Sequence, residues 1–110
     1  MVEANPSICL LWWEGCPSTE AALADLRAAL EERGIDPNVV ELREIATDDQ
    51  ADRERFVGSP TIRVAGHDLF PPGDADPVGL SCRIYHRADG RVSPTPDPVL
   101  LRVELDRRLK

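Results

Sequence analysis

Residues 7–13 form an apolar run of strand length, Ser7 to Trp13, that ends at Glu14, Gly15, Cys16 and Pro17 and gives way at once to an alanine- and leucine-rich segment. A continuous apolar run suits a central strand covered on both faces, since a strand with one wet face alternates. Pro17 fits the first position of a helix, where its missing N–H costs nothing. Leu23, Leu26 and Leu30, widened by Ala22 and Ala29, draw a stripe at helical spacing, and Gly34 with Pro37 ends it. Cys16 therefore sits at a strand-to-helix junction, over unsatisfied backbone N–H groups at the positive end of the helix. A thiolate is favoured there, and the thiolate is the form that attacks disulfides, alkylating agents and soft metals. Helix-terminus interactions reach about 2 kcal/mol in favourable sites, which lowers a thiol pKa by roughly 1.5. The carboxylates of Glu14 and Glu20 act against this.

Further along, Val39 to Ile45 looks like a half-exposed strand at a sheet edge, and Thr47 with Gln50 makes a capping box for a short helix ending near Phe56. Gly58, Ser59, Pro60 and Thr61 open another strand, which runs to Ala65 and stops at Gly66. Residues 67–79 are rich in proline and glycine and read as a long loop. Leu80 to Arg87 reads as a fourth strand with Leu80, Cys82 and Ile84 on one face, followed by a turn at Asp89 and Gly90. Asp97 as N-cap and Pro98 at the first position start a last helix with Leu101, Leu105 and Leu109 inward. The expected order is β-α-β-α-β-β-α: an α/β fold with a four-stranded mixed sheet flanked by helices. Its first two strands are parallel through a right-handed crossover, and its last two antiparallel across the long loop.

A chain of 110 residues suits one domain with one core, here residues 1–110 with a flexible start at 1–6. A net charge of −7 excludes nucleic acid as the expected partner, because such binding leans on a basic surface. No apolar run is long enough to span a membrane, and the first residues lack the basic start of a signal peptide, so the expected location is cytoplasmic. Three cysteines are odd in number and too few for a disulfide scaffold, which suits reduced thiols. His67 and His86 do not stand at metal-ligand spacing from the cysteines, and the expectation is a site without metal or cofactor.

The element order resembles the thioredoxin and glutaredoxin fold over about residues 7–109. More narrowly, Gly15-Cys16-Pro17, Gly58-Ser59-Pro60-Thr61 and Gly79-Leu80-Ser81-Cys82-Arg83-Ile84-Tyr85 resemble small bacterial thioredoxin-like proteins with one active-site cysteine, some of which carry an alkylmercury-lyase label. The resemblance implies that Cys16 is the reactive thiol and that a cis Ser59–Pro60 bond lies against it. The Ser59 backbone groups would then be left to pair with an extended thiol substrate; the alternative is a trans proline that merely starts an edge strand. Thr19 stands where dithiol members carry a second cysteine, so it either donates its hydroxyl to Cys16 or packs in the first helical turn. Trp12 and Trp13 end the first strand, one expected in the core and the other as an apolar wall beside Cys16.

The candidate substrate contacts are thus Ser59, Pro60, Thr61, Trp13 and Thr19, and the candidate catalytic residues are Cys16 and, as a resolving partner, Cys82. Against Cys82 stands its phase with Leu80 and Ile84, which reads as a core thiol. A strand running back toward the site also starts it several residues away. At about 3.3 Å per residue that exceeds the roughly 7 Å Cα separation a disulfide allows. Cys9, inside the first strand, reads as core. The expected function is thiol–disulfide exchange on a protein or low-molecular-weight thiol or disulfide. The alternatives are a non-catalytic binding or adaptor module and thiol-based handling of a soft metal such as mercury.

Overall fold

A computed structural model describes residues 7–73 and 76–109; the expected flexible start at residues 1–6 lies outside them. The apolar run forms β1 (Ile8–Trp12), one of the two inner strands of a four-stranded sheet. Its pleat sends Ile8 and Leu10 to one face and Cys9 and Leu11 to the other, and both faces are covered. On the first face α1 (Thr19–Glu32) contributes Ala22, Leu26, Ala29 and Leu30, and α3 (Pro98–Arg108) contributes Leu101 and Leu105. On the second face α2 (Asp48–Glu54) and the residues around it bring Ile45, Ala51 and Phe56. The continuous hydrophobicity of residues 8–12 is thus the signature of a strand buried on both sides.

β2 (Glu41–Glu44) pairs parallel to β1 and forms one edge of the sheet, with most of its side chains exposed, as its alternating sequence suggests. A 3-10 turn at Pro37–Val39 leads into it. The capping box before α2 is formed: the Thr47 hydroxyl accepts from the Gln50 N–H at 3.1 Å, and the Gln50 side chain accepts from the Thr47 N–H at 3.1 Å. Asp97 caps α3 in the expected way, accepting from the Val99 N–H at 2.9 Å, with Pro98 at the first helical position. In α1 the start is later than expected. Pro17 lies in the turn that precedes the helix, Ser18 is the N-cap, and the first helical residue is Thr19.

β3 (Thr61–Val64) runs antiparallel to β1, and β4 (His67–Asp68) antiparallel to β3, giving the order β2-β1-β3-β4. The fourth strand of the sheet therefore falls inside the stretch expected to be loop. It follows β3 through a tight turn at Ala65 and Gly66, and the next residue, Leu69, is fully buried in the first core cluster. A loop that began at residue 67 would have left this side of the sheet uncovered.

The segment expected as the fourth strand behaves differently. Only Tyr85–His86, β5, is regular strand; it pairs with β6 (Val92–Ser93) in a separate hairpin around Asp89 and Gly90. The phase is also reversed. Arg83 and Tyr85 are the buried residues, whereas Cys82 is exposed and Ile84 is 68% exposed. No described helix is long and apolar enough to cross a membrane.

Candidate functional site

The site forms where the end of β1, the turn before α1 and the start of β3 meet the segment 81–83. The Ser59–Pro60 peptide is cis, as the resemblance implies. Cys16 is buried, with 6% of its surface exposed, in a turn closed by its own N–H donating to the Trp13 carbonyl at 3.0 Å. Its thiol donates to the Ser59 carbonyl at 3.3 Å. The Ser59 side chain faces the same junction: its hydroxyl oxygen accepts from the Trp13 N–H at 3.1 Å and lies 3.4 Å from the Thr19 hydroxyl. Ser59 thus joins the three elements. Thr19, expected either to donate to Cys16 or to pack in the first helical turn, directs its hydroxyl to Ser59.

The Ser59 backbone groups are not free for a substrate. Their N–H donates to the Ser81 carbonyl at 2.8 Å, and their carbonyl accepts from the Arg83 N–H at 2.9 Å. This is a parallel bridge between Ser59 and Cys82 made by the chain itself. It corrects the expectation for Cys82 twice over: the thiol is exposed and not core, and it is not remote from Cys16. The neighbouring Cys16 side chain, and after it burial, push the Cys82 thiol pKa up. The two sulfurs carry no disulfide in this structure. Cys9, the third thiol, lies on the second face of the sheet in the core cluster with Leu11 and Phe56, as expected.

Arg83 and Tyr85, to which sequence reasoning assigned no role, hold the Cys82 segment in place together with Thr61. Arg83, buried at 8% exposure, directs its guanidinium to the Asp68 carboxylate at 2.8 Å, to the Thr61 hydroxyl at 3.2 Å and to the Phe70 carbonyl. The guanidinium also lies 4.8 Å from the centre of the Tyr85 ring, within cation–π range. Tyr85 donates its hydroxyl to the Pro60 carbonyl. Burial pushes its phenol pKa well up, against a smaller opposing effect of the Arg83 charge. Thr61 is fully buried and donates to the Gly58 carbonyl at 2.7 Å, so both sides of its hydroxyl are engaged within the fold.

Gly58 completes the frame. Its φ is +138°, and a Cβ there would lie 2.9 Å from both the Cα and the N of Arg83. That is closer than a side chain can come to a backbone, so the 81–83 segment reaches Ser59 because residue 58 has no side chain. Gly15 plays the same part under Trp13, whose ring atoms lie 2.5 Å from where a Cβ would stand. Both tryptophans are half-buried: Trp12 packs on the first core cluster and Trp13 on the second.

A signal for Arg83 and Tyr85 was present in the alternation Ser81, Arg83, Tyr85, which has the same period as Leu80, Cys82, Ile84 but the opposite face. Hydrophobicity favours the second set; the ion pair with Asp68 makes the first set the inner one. Among the described residues no three metal-ligating side chains converge. No family model matches the chain, and neither does any curated protein or solved structure.

Proposed function

We propose that the chain is a thioredoxin-like thiol–disulfide oxidoreductase whose working pair is Cys16 and Cys82. The observation that carries this reading is the double hydrogen bond of Ser59 to Ser81 and Arg83, which sets Cys82 against the Cys16 side chain. The order of strands and helices and the cis Ser59–Pro60 peptide beside Cys16 support the fold assignment.

In this reading Cys82 takes the place that a second cysteine in the first helical turn holds in dithiol members, where this chain has Thr19. As a thiolate, Cys16 attacks the Cys82 sulfur of a mixed disulfide between Cys82 and the substrate. The Cys16–Cys82 bond forms, the bond from Cys82 to the substrate sulfur breaks, and the substrate leaves as a thiolate. An external thiol or dithiol then returns the pair to the reduced state. Cys9 takes no part.

Titration of the reduced protein with a peptide disulfide tests this, with peptide mapping by mass spectrometry as the readout. The expected result is loss of the Cys16 and Cys82 thiols together, with the two peptides joined and Cys9 still alkylatable. Catalytic turnover that survives Cys16→Ser would sink the reading.

A further inference from the structure

Attack on a disulfide needs an approach line: the nucleophilic sulfur has to meet the S–S bond end-on, with substrate chain on either side. Cys16 offers no such line. It is 6% exposed, its thiol points to the Ser59 carbonyl, and Cys82 stands against it. Cys82 does offer one. It is exposed, and it opens onto a groove of about 790 Å³ to which Cys16 contributes nothing. The walls of the groove are largely apolar, with Val57, Phe70, Pro77, Ile84 and Val92 among them. Ile84 and Val92 are each 68% exposed, so folding leaves their apolar surface unused.

The charges around the groove narrow what fits it. Arg83 lines it, but its guanidinium is engaged by Asp68, Thr61 and Phe70. Asp76 adds a negative charge, and no other arginine or lysine lies among the described lining residues. Apart from the His86 imidazole, the two carboxylates of glutathione therefore find no free cation among the described lining residues, whereas an apolar peptide finds walls it can dry.

We propose that Cys82, and not Cys16, is the thiol that meets the substrate, and that the substrate is a protein disulfide whose cysteine is flanked by apolar residues. The inference rests on the redox reading of the pair. In the first step Cys82 loses its proton to solvent and its thiolate attacks one substrate sulfur. The substrate S–S bond breaks, and the leaving thiolate takes the proton of the Cys16 thiol. In the second step the Cys16 thiolate attacks the Cys82 sulfur, the Cys16–Cys82 bond forms, and the other substrate sulfur leaves as a thiolate. The substrate gains two electrons and the protein dithiol loses two, which an external dithiol restores.

The test uses Cys16→Ser and Cys82→Ser with two probes: an apolar cysteine peptide carrying a coloured aromatic thiol in mixed disulfide, and oxidised glutathione. Cys82 is exposed, so its serine variant leaves the core intact, and circular dichroism verifies that both variants are folded. With the peptide probe, Cys16→Ser should release the coloured thiol within about tenfold of the parent rate and stop as a mixed disulfide on Cys82. Cys82→Ser should be slower by about a hundredfold or more. The parent protein should prefer the peptide to oxidised glutathione by at least about tenfold.

A mixed disulfide on Cys16 in Cys82→Ser at the parent rate, with Cys16→Ser inert, overturns the assignment of the attacking thiol. Equal or faster reaction with oxidised glutathione overturns the substrate class. In both cases the Cys16–Cys82 disulfide still forms in the parent protein. If it forms with neither probe, the oxidoreductase reading itself has failed.

Discussion

At the scale of single residues, burial governs the titration of two groups, Cys9 and Tyr85. Burial raises the pKa of the Cys9 thiol, with Arg43 acting in the opposite sense, and burial raises the Tyr85 phenol. Both groups are neutral when protonated, so the folded protein keeps protons that the unfolded chain gives up. That difference begins near pH 8.5 for the thiol and near pH 10 for the phenol. Where the folded state holds more protons, stability falls as pH rises. Denaturant midpoints should therefore be flat through neutral pH and decline from about pH 8.5 upward, steeply beyond about pH 10. Cys9→Ala should flatten the first part of the decline and Tyr85→Phe the second. A midpoint that rises with pH in this range contradicts the burial of both groups. At neutral pH Tyr85→Phe should also lower stability by about 1–3 kcal/mol, because it leaves the buried Pro60 carbonyl without its donor.

At the scale of elements, the contrast between what the sequence disclosed and what it hid has a physical source. β1, α1, α2 and α3 are written locally, in an unbroken apolar run, a stripe at helical spacing, a capping box at Thr47 and an Asp97-Pro98 start. Each needs no partner to be recognised. β4 is two residues long, too short for any periodicity, and only its neighbours Leu69 and Phe70 hint at a buried element there. The 81–83 segment is harder still, because it is held by long-range bonds: Ser59 to Ser81 and Arg83, Arg83 to Asp68, Tyr85 to Pro60. Local context set Cys16 at a strand-to-helix junction and the resemblance pointed to the cis Ser59–Pro60 bond, whereas the place of Cys82 depends on all of those contacts at once. Gly58 is where that dependence can be probed. Gly58→Ala places a Cβ 2.9 Å from the Arg83 backbone, so the segment must move away from Ser59 and carry Cys82 with it. Oxidation of the Cys16–Cys82 pair should slow by about tenfold or more, since effective concentration falls steeply with misplacement. Gly90→Ala is the control: its φ of +89° carries a comparable backbone penalty, but nothing lies within 4 Å of its Cβ. Equal effects of the two substitutions would show that backbone strain, and not the approach of Arg83, is responsible.

At the scale of the whole molecule, Cys16 and Cys82 join parts of the chain that neither share an element nor sit side by side in the main sheet. The first stands in the turn between β1 and α1; the second lies beyond β4, in a segment pinned to the sheet by Ser59 and Asp68. A bond between them closes a loop of about 67 residues, for which the chain-entropy model gives about 4 kcal/mol of stabilisation through the unfolded state. The oxidised protein should therefore melt higher than the reduced one by on the order of 15 °C. Cys16→Ser and Cys82→Ser should each melt at the same temperature with and without reductant. The same free energy acts in the other direction, because coupling between folding and cross-linking is reciprocal. A stabilisation of about 4 kcal/mol corresponds to a disulfide about a thousandfold easier to form in the folded protein than in the unfolded chain. Thiol–disulfide equilibration against a dithiol buffer, with and without denaturant, measures that ratio directly. A ratio near unity would mean that the fold brings the two thiols together without favouring the bond, and the pair would then be a contact rather than a redox couple.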